Sequence, residues 1–428
     1  MVISWWGALI GLALAIYLIL KKLNPVYSLM LGAIIGALLG GASLTGTIDI
    51  LVKGEQSVMG TVLAAGMLAG VMMESGAAET LARTIVDKLG DRMAILSLAL
   101  ATMVITAVGV FIPVAVLIVA PIALEVGRRM HISKLALLVA LSGGGKAGNI
   151  ISPNANTIAA AKGFGLELSQ VMIADFIPAV VALIVTVIVA RLLVKKGDAV
   201  MEADLGDMVD SDTGNLPTLG QAVVTPILAI VLLLLNPIGQ VAHLTLLTKV
   251  NLDATYVLPF AAIVGALVMK KGRELRDYAR VGMTRMTDVV LILIGAGAIG
   301  ATITSSNLPQ LLIKGVEASH MPGVLLAPIS GILMAAATAS TSTGVILATG
   351  SFAKAILGFG VAPLAAAAMV HTGAIVIDQL PQGNYFHVTA NAMHMDLRQR
   401  SQGILYEAMV GGSAMLTATI LYGFLHLI

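Results

Sequence analysis

Lys146, Asn149, Ser152, Asn154, Asn156 and Thr157 fall within one short stretch, Ser142 to Thr157, that reads SGGGKAGNIISPNANT. The runs on either side are strongly apolar, which places these polar groups at membrane depth. A polar or charged side chain there is expensive to bury and marks function by default. Gly143, Gly144, Gly145, Gly148 and Pro153 are expected to prevent an uninterrupted helix. Irregular backbone at that depth is tolerated only where it is buried in protein or lines a watery cavity. The stretch is therefore expected to form half of a solute-binding site in a secondary transporter. Lys146 would attract an anion, or alternate between substrate and an acidic partner. The plainer alternative is a lysine that snorkels or caps a helix end.

A second stretch, DQLPQGN from Asp378 to Asn384, supplies the partner groups. Asp378 is the expected proton-coupling carboxylate, the alternatives being an N-cap or a structural ion pair. Ser152, Asn154, Asn156, Thr157, Gln379, Gln382, Gly383 and Asn384 offer neutral donors and acceptors beside chain breaks. Half-helices starting there would present free N–H groups to a carboxylate. Unwound carbonyls would instead suit Na⁺, and simple turn chemistry is the bland reading. Ser340, Thr341, Ser342 and Thr343 lie between Thr338 and Gly344 at an expected hairpin tip. There they either bind ligand or serve as small packing residues. His371 and His387 flank the second break and are secondary candidates for a proton path. GGGK lacks the spacing of a phosphate loop, and no metal-binding helix motif occurs. No enzyme, catalytic residue, metal or cofactor is expected beyond a coupling ion, H⁺ before Na⁺.

The elements that must position these residues are helical. The chain has 428 residues, 58% hydrophobic and 11% charged, against about 25% charged in soluble domains. It reads as an all-α polytopic membrane protein, with the lipid bilayer as its surroundings. A net charge of +2 gives no reason to expect a nucleic-acid partner, and the absence of cysteine excludes disulfides and thiolate chemistry. The first apolar run has no basic n-region and is read as a retained helix.

Apolar runs near the length of a span fall at about 2–20, 25–44 and 55–74, with an amphipathic stretch at 76–92. The run 93–126, interrupted by Phe111-Ile112-Pro113, reads as a helical hairpin; a broken element at 135–162 and a long run at 168–194 follow. The plan recurs with runs at 221–244, 252–269 and 287–304, a polar stretch at 305–322, a hairpin at 323–358, a broken element at 362–389 and a final span at 404–427.

Matches recur at an offset near 230: Gly70 on Gly300, Ser75 on Ser305, and Asn154 on Asn384. Residues 1–195 and 221–428 are thus read as duplicated halves, joined by an acidic cytoplasmic linker at 196–220. Each half is expected to have about five spans, a re-entrant hairpin and a broken helix. With Lys21 and Lys22 in the cytoplasm, most Lys and Arg residues, Arg285 and Arg400 among them, fall inside. Lys53, Lys162, Lys249, Lys314 and Lys354 fall outside. An odd number of spans per half inverts the two repeats and puts both termini outside. A passive channel or an ion antiporter would suit duplicated broken helices too.

In its order of elements the chain resembles the gluconate:proton symporter (gluconate permease) family of the ion transporter superfamily. The likeness rests on the hairpin ending in basic residues, on LSGGGKAGNIISPNANTIAAAKGFG, on the long span and polar linker, and on a repeat carrying DQLPQGNYFHVT. It implies proton-coupled import of gluconate, a related sugar acid or a small carboxylate across the bacterial inner membrane. It also implies a scaffold and a mobile domain, a homodimer, and a site of Ser152, Pro153, Asn154 and Thr157 with Asp378, Gln379, Asn384 and the hydroxyls of 340–343. The SPNAN run is similar to signatures of sodium-coupled dicarboxylate carriers in that superfamily, which keeps a Na⁺-coupled citrate or dicarboxylate carrier as the alternative.

Overall fold

The structure, a computed structural model, describes residues 3–21, 23–53, 59–205, 216–241, 252–318 and 322–428. The centre of the linker, Lys22 and Lys249 lie outside the described residues. The first half comprises α1 (Trp5–Leu20), α2 (Pro25–Leu39), α3 (Leu44–Lys53), α4 (Met59–Glu74), α5 (Ala77–Leu89), α6 (Ala94–Ala107), α7 (Ile112–Met130), α8 (Lys134–Ile150), α9 (Ala155–Gly163), α10 (Leu168–Ala174) and α11 (Phe176–Leu193). The second comprises α12 (Leu219–Ala222), α13 (Val224–Val241), α14 (Ala254–Val268), α15 (Leu275–Thr304), α16 (Leu308–Ala318), α17 (Leu326–Thr338), α18 (Thr341–Gly358), α19 (Pro363–Ala374), α20 (Asn384–Ala392), α21 (Leu397–Ser401) and α22 (Gly403–Ala418), which continues as a π turn, Thr419–Phe424. Among the described residues the only strand-like pairing is a single bridge between Ile3 and Ser306.

The order of elements repeats. The starts of α7, α8, α9 and α10 at 112, 134, 155 and 168 match those of α18, α19, α20 and α21 at 341, 363, 384 and 397, a spacing of 229 in each case. Asn154 is therefore matched by Gly383, not by Asn384 as the sequence register has it. Among the described residues four helical stretches are each long and apolar enough to cross a bilayer: Lys134–Gly163, Phe176–Leu193, Leu275–Thr304 and Leu397–Phe424. A fifth is α4 with α5, bent by 59° at Gly76, whose φ of +78° suits a residue without Cβ. Other apolar helices run 10–17 residues. Among the described residues, breaks and short helices divide the remaining apolar runs.

One expectation fails at α8. The helix runs unbroken through Gly143, Gly144 and Gly145 to Ile150, and the break falls at Ile151–Asn154. The glycines serve close packing instead. A Cβ on Gly144 would lie 2.0 Å from the Ala99 carbonyl oxygen, and one on Gly148 would lie 2.0 Å from that of Met103. Both contacts are with α6. Gly143 meets Thr186 of α11 in the same way. The helix is buried on every face, so backbone contact with its neighbours takes the place of side-chain interdigitation. Pro153 and the extended Asn154 end the element.

Candidate substrate cavity

Both hairpin turns and both breaks meet at one cavity of about 530 Å³. Phe111–Val114 from the first turn and Thr338–Thr343 from the second form part of its wall. Asn149 and Asn156 come from the first break, and Gln382, Gly383, Asn384 and Tyr385 from the second. Pro25 and Arg285 close the remaining side. Five helices, α2, α7, α9, α18 and α20, begin here. Helix N-termini carry partial positive charge and unpaired N–H groups.

The caps differ. Asn154 accepts from the N–H groups of Asn156 and Thr157, and Ser340 from that of Thr343. Gly383 has no side chain to cap α20, so the first N–H groups of α20 are free for a ligand. The carbonyls of helices ending nearby are covered: Asn149 O accepts from Asn154 Nδ2, and Ala336 O from Gln382 Nε2. Among the described residues Arg285 is the one charged side chain on the wall, and its guanidinium stands 3.8 Å from Glu74. Asn149 Nδ2 is buried with no hydrogen-bond partner among the described residues, as is Ser152 Oγ. The cavity thus concentrates donors and positive potential, and among the described residues it carries no carboxylate.

Lys146 is not on this wall. It is fully buried, and its three ammonium protons go to Ile375 O at 2.5 Å, Asp378 Oδ1 at 2.5 Å and Gln379 Oε1 at 2.8 Å. Asp378 Oδ2 accepts from the Thr341 hydroxyl at 2.5 Å. Gln379 also donates to Val376 O and Ile404 O. In this conformation Lys146 stands with an acidic partner, Asp378, and all three of its protons are engaged within the protein. Asp378 does not cap the half-helix after it, since α20 begins at Asn384. The network joins the first broken element to the second and to the second hairpin turn. The Ser342 hydroxyl adds a hydrogen bond to the Asn156 side-chain oxygen Oδ1.

Comparison with known proteins places the whole chain. The profile of the GntP family permease matches residues 3–403. The chain belongs to the GntP permease family. An uncharacterized transporter of Haemophilus influenzae is 45% identical over 424 residues, 98% of each chain. The D-serine transporter DsdX of Escherichia coli O6:H1 is 25% identical, over 80% of each chain. The high-affinity gluconate transporter of Escherichia coli K12 is 22% identical, over 81% of each. The solved structure of Neisseria gonorrhoeae MtrF, described as illuminating a class of antimetabolite efflux pumps, aligns with a TM-score of 0.64 at 16% identity, covering 95% of this chain and 94% of that one. Its likeness concerns the fold. The protein is a multi-pass membrane permease and not an enzyme.

Within this GntP permease, the residues singled out from sequence divide into two groups. Asn149, Asn156, Ser340, Thr341, Ser342, Thr343, Gln382 and Asn384 line the cavity. Lys146, Ser152, Asn154, Thr157, Asp378 and Gln379 are buried and do not line it. His387 is exposed, with its Nε2 against Pro381 O at 2.8 Å. His371 is buried, with its Nδ1 2.7 Å from Asp175 Oδ2.

Two of the arginines expected on the cytoplasmic side have partners within the protein. Arg285 reaches the cavity because α15 extends from Leu275, a dozen residues ahead of the apolar run. Arg400 is fully buried, bidentate to Glu407 at 2.6 and 3.1 Å, bonded to Thr389 and packed over the Phe386 ring. Glu407 also accepts from Tyr385, which lines the cavity. This cluster pins the start of α20 to α21 and α22. Asp175, Arg285, Tyr385 and Glu407 were all missed. Each joins its partner across a long sequence interval or at a helix end that no motif marks.

Proposed function

We propose that this permease is a secondary active transporter that imports a small organic anion, gluconate or a related sugar acid or carboxylate, coupled to H⁺. One observation carries the reading: five helix N-termini, two of them without a side-chain cap, and a single arginine converge on a cavity with no acidic side chain among the described residues. Such a wall favours a carboxylate. The hydroxyl and amide groups of Ser340, Thr343, Asn149 and Asn384 suit the hydroxyls of a sugar acid. A zwitterion such as D-serine would need an anionic partner for its ammonium group, and the wall offers neutral acceptors only.

The common spacing of 229 residues supports two repeats, which we take to be inverted, with both termini outside the inner membrane. Substrate would bind between the two breaks and the hairpin turns. Movement of one subdomain against the other would give alternating access, and the chain would work as a homodimer. The test is uptake of labelled gluconate by purified protein in liposomes, driven by a pH gradient without Na⁺. Accumulation is the expected result. Strict dependence on Na⁺ would establish the citrate or dicarboxylate alternative, and absence of counterflow would point to a channel.

A further inference from the structure

We propose that the coupling proton is carried by the buried pair Asp175–His371, at a site apart from the substrate cavity. This rests on the reading of the protein as a proton-coupled anion transporter. Asp175 stands at the junction of α10 and α11, and His371 in α19, the helix that leads into the second break. Both side chains are fully buried, with His371 Nδ1 2.7 Å from Asp175 Oδ2. The other atoms of the pair, Asp175 Oδ1 and His371 Nε2, have no hydrogen-bond partner among the described residues. A carboxylate only accepts, so the ring donates through Nδ1–H, and Nε2 keeps its lone pair. A proton arriving at Nε2 forms one N–H bond and takes the pair from net −1 to neutral. In a low-dielectric interior that neutralisation is favourable.

Asp378 has no comparable vacancy. Its two oxygens are engaged by Lys146 and Thr341, and protonating it would leave the Lys146 charge uncompensated. Among the described residues the neighbouring elements bring no other unpaired charge to Asp175 and His371. Lys162 of α9 pairs with Asp253, and Lys146 with Asp378. Lys134 of α8 pairs with Asp204, and Glu407 of α22 with Arg400. Glu167, Arg191 and Lys354 are exposed, and Tyr406 is half-buried.

The titratable group closest in the packing is Tyr422, whose hydroxyl donates to Ala174 O at 2.5 Å, next to Asp175. Tyr422 also lines a second cavity, of about 330 Å³, with Pro322, Gly360 and the exposed His426. That cavity shares no wall residue with the substrate cavity, and the proton would approach from its side, past Tyr422. The link to transport runs along α19. His371 lies one turn before Ile375, whose carbonyl accepts from Lys146. A charge change at His371 therefore bears on the element that holds the Lys146–Asp378 tie.

The experiment uses full-length protein in liposomes with labelled gluconate. For one-to-one coupling, a pH difference of one unit supports about tenfold accumulation. His371→Asn and Asp175→Asn should bring this to about onefold, while exchange of labelled against unlabelled gluconate at equal pH stays within about twofold of wild type. Retained accumulation would overturn the proposal. Loss of both accumulation and exchange in a variant that elutes as folded protein would also overturn it, by making the pair structural. A readout without substrate separates this from failure of the transport reading. The pH dependence of thermal unfolding between pH 5 and 8 should flatten in His371→Asn, and an unchanged profile would sink the proposal even if wild type takes up no gluconate.

Discussion

Arg285 and Lys146 are two cations with opposite fates. Lys146 spends its charge on protein, whereas Arg285 keeps an exposed guanidinium on the cavity wall with only a 3.8 Å contact to Glu74. Arg285→Gln should therefore weaken binding of the anion by about tenfold or more, since a hydrogen bond to a charged group is worth about 1.5–3 kcal/mol. The concentration dependence of uptake measures this, and unchanged affinity would remove Arg285 from the site. Lys146→Met or Asp378→Asn alone should cost about 3–5 kcal/mol of stability, because each leaves its partner without compensation in the interior. The double variant should recover much of that loss in thermal unfolding. Additive losses would show that the two residues act separately. The importance of Lys146 was legible in sequence, because a lysine among glycines between apolar runs has few ordinary explanations. Its partner Asp378 was legible as an acidic group on the second stretch, with an ion pair among its readings. Asp175 and Arg400 were not, because a buried pair closed by residues from distant segments leaves no local pattern.

At the level of elements, the glycines of α8 carry the lesson. Helix propensity alone makes Gly143–Gly145 a place to break, by about 1 kcal/mol per residue against alanine. Tertiary packing reverses that preference, since the cost of a glycine is small beside the contact it permits with the backbone of α6. Gly148→Ala should accordingly destabilise the protein despite the better helix former. Its Cβ would fall 2.0 Å from Met103 O and 2.2 Å from Thr106 Oγ1, and overpacking typically costs about 1–3 kcal/mol. A rise in melting temperature would show that α6 can give way. The breaks themselves were legible to within a few residues, because Pro153 and the run LPQG cannot continue a helix. The extent of α15 was not, since its polar first third, with Arg285, reads as a loop after a span.

For the whole molecule, the question is which contacts must open for substrate to pass. The second hairpin turn is tied to both breaks, through Thr341 to Asp378 and through Ser342 to Asn156, and these ties close over the cavity wall. Alternating access then requires the turn to separate from at least one break. The chain contains no cysteine, so a pair introduced as Ser342→Cys and Asn156→Cys would be the sole reactive site. Joining the two thiols with an oxidant or a short bifunctional reagent should stop uptake, and reducing a disulfide should restore it. Either single variant, treated in the same way, should keep transporting. Full uptake by the joined protein would place the moving boundary elsewhere, and the Ser342–Asn156 contact would then belong to a part that moves as one body.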